Sequence, residues 1–138
     1  MNIEWVIPCR YVEVHDNLAT IIGAGIDTYW LHQGPGPLQV VLAVRALATP
    51  EELVAGDDHT ITNLIRDPSG GQVGEMSGQL TIQAEPQRPE WLVGLTLPMI
   101  VQFDALQEGT YAIEVGIDDA SHALPIHVVH GPPPGSDG

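Results

Sequence analysis

Residues 103–129, FDALQEGTYAIEVGIDDASHALPIHVV, constrain the fold more than any other stretch, because they read as two alternating strands joined by a tight turn. Tyr111, Ile113, Val115 and Ile117 share one face and Ala112, Glu114 and Gly116 the other, the period of a half-buried strand. Asp118, Asp119, Ala120 and Ser121 supply turn chemistry. Leu124, Ile126 and Val128 then resume the apolar face on a partner strand, with Pro125, His127 and Val129 on its reverse. Tyr111, two residues after Gly109 at the mouth of a strand, fits a tyrosine corner, in which the hydroxyl holds a nearby loop carbonyl. Gly109 and Tyr111 are therefore predicted to be structural residues.

The rest of the chain repeats the strand-and-turn pattern. Ile3, Trp5 and Ile7 alternate with Glu4 and Val6 in a first strand that Pro8 ends, since proline cannot donate a ladder hydrogen bond. Residues 10–17 form either a strand closing in an Asp16-Asn17 hairpin or an irregular crossover. Residues 18–23 are apolar enough for burial on both faces, with a bend or bulge at Gly23 and Gly25. Residues 26–31 are extended, and HQGPGP at 32–37 is a rigid loop. In the long strand 38–47, Leu38, Val40, Leu42 and Val44 face the core, while Val41, Ala43 and Arg45 lie on the wetter side. Thr49-Pro50-Glu51-Glu52 places an N-cap, a first-turn proline and first-turn acids in order, which predicts a single helical turn over 50–55.

A strand of ambiguous facing over 59–66 leads to the DPSGG turn, and 78–84 alternates with Leu80 and Ile82 inward. After a proline-rich corner, Trp91, Val93, Leu95 and Leu97 make another buried face, interrupted at Pro98 before 99–103. Such a run of strands, with no sustained helical period and no crossover helices, predicts an all-β chain. The expected fold is an Ig-like, Greek-key two-sheet β-sandwich of about eight strands, with one domain over 1–130 and a disordered Pro/Gly tail over 131–138.

A chain of 138 residues buries roughly two-thirds of its unfolded surface and needs no disulfide or metal to be stable. Cys9 is the single cysteine, and the start MNIEWVIPCR lacks the basic, long apolar pattern of a signal peptide, so a cytoplasmic location is expected. No apolar run approaches the roughly 20 residues needed to span a bilayer. There is no lysine, only four arginines against eighteen acids, and the net charge is −14. That surface repels phosphate, which excludes nucleic acid and anionic membranes as expected partners and leaves proteins.

The segments CRYVEVHDNLATIIGAG, TPEEL, DPSGG and EGTYAIEVGID together resemble an uncharacterised family of bacterial, largely actinobacterial, single-domain β-sandwich proteins of unknown function. The resemblance covers most of residues 3–129. It implies a fold and brings no activity, because these motifs are turns and core positions.

Few residues offer chemistry. His122, His127 and His130 cluster in sequence, but His127 and His130 point to opposite faces of a strand, and Asp57-Asp58-His59 lacks a partner histidine or cysteine at metal-site spacing, so no metal is expected. Asp118 and Asp119 are too few for calcium and are read as turn formers. Cys9 has no local Cys-His motif and only Arg10 as a nearby cation, so it is expected to be buried or inert. Trp5 and Trp91 are expected in the core. With no convergent catalytic set, the expectation is a non-enzymatic interaction or structural module without cofactor, binding a protein partner or a second copy. Its edges would be strand 124–129 or strand 38–47, and the candidate interaction residues are Trp30, Val41, Arg45 and His127. Two alternatives stand: a metal-dependent enzyme or metal-binding protein using His59 with His122 or His127, and a carbohydrate or small-ligand module using Trp30.

Overall fold

Alternating aliphatic residues leave one face of each strand to be hidden, and two sheets packed face to face hide them. The computed structural model describes residues 1–135. In chain order it contains β1 (Asn2–Cys9), β2 (Tyr11–His15), β3 (Leu18–Ile22), β4 (Thr28–Leu31), β5 (Gly36–Ala48), α1 (Pro50–Ala55), β6 (Asp58–Arg66), β7 (Gln72–Thr81), β8 (Val93–Ala105), β9 (Gly109–Ile117) and β10 (Ala120–His130). One sheet has the order β1-β5-β8 and the other β4-β10-β9-β6-β7, so eight strands build the sandwich. The β2–β3 hairpin is an addition to it. Every pairing is antiparallel except β4 with β10.

The core lies between Leu38, Val40, Leu42 and Val44 of β5 and Ile113, Val115, Ile126 and Val128 of β9 and β10, all buried. Tyr111 closes it at one end. Its hydroxyl donates to Gln107 O at 2.8 Å and accepts from Gln107 N at 3.1 Å, the corner read from the sequence. Gly109 has φ +131°, and a Cβ there would stand 2.9 Å from Pro68, so a side chain at this position would be strained and crowded. At α1 the predicted cap forms. Thr49 Oγ1 accepts from Glu52 N at 3.2 Å, Glu52 Oε1 accepts from Thr49 N at 3.0 Å, and Gly56 ends the turn at φ +65°.

The structure also corrects several local expectations. A register shift between Ile3 and Trp5 turns Val6, not Trp5 or Ile7, fully inward, so Trp5 is only half-buried. Pro8 does not end β1, and Pro98 does not interrupt β8. Each is an outer strand of its sheet, where a missing N–H goes unneeded. Residues 11–22 form the hairpin, with Asp16 and Asn17 both at positive φ. β3 is not buried on both faces, and Leu18 and Ile22 stand exposed. β2 instead lies over β5 and β8, which is why Ala43 on the supposed wet side of β5 is completely buried. Trp91 precedes β8 rather than belonging to it and is 56% exposed, with the Arg88 guanidinium 5.5 Å over its ring. Neither β5 nor β10 is an edge, because each is paired on both sides. At the tail, Gly131 N donates to Leu31 O at 2.8 Å, and residues 136–138 of the expected disordered segment lie outside the described residues.

Among the described residues two buried side-chain oxygens lack a hydrogen-bond partner, Tyr29 Oη and Asn63 Oδ1. Burial first, and then the Cys9 sulfur, pushes the Tyr29 phenol up to about 12. Replacing Tyr29 with Phe removes a hydroxyl that gains nothing from the fold. It is expected to leave stability unchanged or raise it by up to about 1 kcal/mol, measured as the urea midpoint.

Candidate functional site

One polar cluster forms where α1, β6 and the β9–β10 turn meet. Thr49 caps α1 and aims Glu52 inward, alternation on β6 turns His59 inward, and Asp118 occupies the tight turn at φ +53°. His59 Nδ1 lies 2.6 Å from Asp118 Oδ2, and Asp118 Oδ1 accepts from Thr60 N at 3.0 Å. The Met1 amino group bonds Glu52. Ligand atoms of Glu52, His59 and Asp118 all lie within 4.8 Å of one another, a set that can in principle hold a cation. The amino terminus already brings a positive charge to these carboxylates, and His59 is already bonded to one of them. The cluster reads as an ion-pair network joining three elements. Burial raises both carboxyls. For Glu52, bonds from the amino terminus and Thr49 more than offset that rise, and for Asp118 bonds from His59 and Thr60 do the same, so both end below their ordinary range.

This corrects the local histidine readings. His59 joins Glu52 and Asp118, and the converging group contains neither His122 nor His127 among the described residues. His127 is exposed and meets Thr110 Oγ1 at 2.9 Å, while His130 Nε2 meets Ala105 O at 3.0 Å. Cys9 is buried, and burial raises its thiol. Trp30 is half-buried on β4. Val41 lies in the central strand between Cys9 and Ile100, and Arg45 is held by Glu4 Oε2 at 2.8 Å with its guanidinium over Gly94.

The second feature is a cleft of about 310 Å³ along the open seam between β7 and β8, the outermost strands of the two sheets on that side. Ile61, Met76, Leu97 and Met99 wall it, and Asn63 also lines it. A local cause is visible in β7. The inward series Gly74, Met76, Gly78, Leu80 carries two glycines, and a Cβ on Gly78 would meet nothing within 4 Å. The wall therefore lacks a side chain where β7 faces β8. Asn63 is 7% exposed, and its Oδ1 is the unpartnered buried acceptor. Asn63 is not legible in the sequence, because the facing of 59–66 is ambiguous there. The available signal was the inward alternation His59, Ile61, Asn63, Ile65, with one amide among aliphatics.

A family model matches residues 4–129 and is described as a family of unknown function. The chain belongs to that family, DUF6941. The uncharacterised-family resemblance read from the sequence agrees with this. No curated protein matches the sequence. Among solved structures, this DUF6941 chain is similar to a β-glucuronidase from glycoside hydrolase family 2, with TM-score 0.51, 10% identity, and coverage of 69% of this chain and 10% of that one. It is also similar to a structure from Bacteroides fragilis described as that of a β-galactosidase, with TM-score 0.46, 14% identity, and coverage of 69% and 14%. The chain thus spans about a tenth of the length of the first of these. At such identities the first likeness shows the β-rich sandwich fold alone. Among the described residues no helix is long and apolar enough to cross a membrane.

Proposed function

We propose that this DUF6941 chain is a non-enzymatic protein-binding module that receives an extended segment of its partner as an added strand along β7. The supporting observation is that β7 is the one unguarded edge among the four strands that end the two sandwich sheets. β4 has only four residues, β1 carries a bulge and Pro8, and β8 carries Pro98. β7 runs from Gln72 to Thr81 with no proline and no basic residue, and Glu75 is its only charge. Its one irregularity, near Gln72, leaves Gly74 to Thr81 in regular register. Edges of this kind pair with another chain through free amides and carbonyls.

Charge selects the partner's chemistry. At −14 the surface favours a basic segment. A second copy using the same edge must overcome like charge, so self-association is expected to strengthen as salt shortens the Debye length below about 10 Å, which light scattering measures. The direct test is amide hydrogen exchange with a short blocked peptide of alternating valine and lysine. Slowed exchange along β7, absent with a valine–glutamate peptide and abolished by Met76→Lys, is the expected result. Protection at β1, β4 or β8 instead, or at none of them, would overturn the reading.

A further inference from the structure

We infer that the β7–β8 cleft is a specificity pocket for a neutral primary amide on an apolar stem, the side chain of a glutamine or asparagine that an added strand turns inward. The source of that side chain rests on strand addition along β7, whereas the preference for an amide rests on the cleft alone.

A strand laid beside β7 continues the five-stranded sheet, so every second side chain points into the gap between the sheets, toward β8. There the cleft offers about 310 Å³, a missing wall at Gly78, and apolar sides from Met76, Leu97 and Met99. Such a space takes one long side chain with an aliphatic stem. Asn63 decides what stands at its tip. The residue lines the cleft and is more than nine-tenths buried, yet its Oδ1 has no partner. A half-turn of the amide exchanges Oδ1 with Nδ2, so this one group can present an acceptor and a donor to the cleft.

Three tip chemistries compete. An ammonium or guanidinium gains long-range attraction from the acidic surface, but one neutral amide cannot replace the water it loses on entering an apolar cleft. A carboxylate suffers the same loss and is repelled by the net charge. A primary amide carries no charge to desolvate and can both donate and accept, so it pairs with whichever atom of the Asn63 amide faces the cleft.

Three probes sharing one branched stem separate these cases: 4-methylpentanamide, 4-methylpentanoate and 4-methylpentylamine. Each is titrated into the labelled protein while the Met76 and Met99 methyl signals and the Asn63 side-chain amide are followed. The amide is expected to bind at least about tenfold more tightly than either charged analogue at these signals. In Asn63→Leu that ratio is expected to fall to about twofold or less. Leucine removes an unpaired buried amide, so the variant should fold, and Gly78→Val, which fills the open wall without touching Asn63, is a second variant expected to weaken all three probes. Equal binding of the three, selectivity that survives Asn63→Leu, or binding unaffected by Gly78→Val would each overturn the inference. None of these outcomes bears on β7 amide protection, so failure here and failure of strand addition are read separately.

Discussion

Replacing Asp118 with alanine is expected to lower the unfolding free energy by about 2 to 4 kcal/mol. The carboxylate accepts from Thr60 N and pairs with His59, whose side chain is 7% exposed, and its loss leaves the buried imidazole nitrogen with only Glu52 Oε2, 3.9 Å away and beyond hydrogen-bond distance. Alanine also tolerates the φ of +53° less well than aspartate. A third of the Asp118 side chain remains in water, which keeps the ion-pair share small. Asp118→Asn retains the turn and isolates the charge, and about half the loss is expected. The pH dependence follows from the sign of the shifts. Asp118 and Glu52 are held below their ordinary values, so their contribution is present above about pH 4 and is lost as pH falls through the folded-state values. The urea midpoint of the parent should therefore drop more steeply below pH 4 than that of Asp118→Asn. Parallel acid limbs would refute this.

The second large effect is expected at Tyr111. Its buried hydroxyl closes two bonds to Gln107, and Tyr111→Phe leaves that carbonyl and amide unsatisfied at a cost of about 1 to 3 kcal/mol. Its ring lies 5.2 Å from that of Phe103, a contact that phenylalanine preserves, so the loss reports the hydroxyl alone. Tyr29→Phe deletes the same atom where it has no partner. The two variants together test whether a phenol's value lies in its burial or in its bonds. A midpoint for Tyr111→Phe equal to that of the parent would remove the corner.

What could be read from the chain follows from how local each signal is. β9 and β10 were legible because alternation, turn and corner lie within one hairpin, and α1 because its capping box spans four residues. The facing of β1 was not, since one bulge reverses the alternation and nothing in the Ile3-Glu4-Trp5 sequence announces it. Edge identity is a property of sheet order. That is why β5 and β10, whose composition suggests exposed edges, lie between partners while polar β7 is an outer strand. The site residues were the least legible. His59 and Asp118 are 59 residues apart, and Asn63 gains meaning only when β8 leaves a gap opposite Gly78.

The parallel pairing of β4 with β10 carries a kinetic consequence. Thr28 to Leu31 dock on His127 to His130, so the contact spans about 100 residues, and sandwiches built from such distant pairings fold in the slow range of milliseconds to seconds. At synthesis rates of about 5 to 20 residues per second, β4 is made roughly 5 to 20 s before the strand it needs. During that interval Tyr29 and Trp30 have only a partial chain to shelter them. The arrival of β10 completes two ladders at once, with β9 and with β4, so the last step of the five-stranded sheet joins β4 to the β9-β6-β7 part, whose own ladders do not need β10.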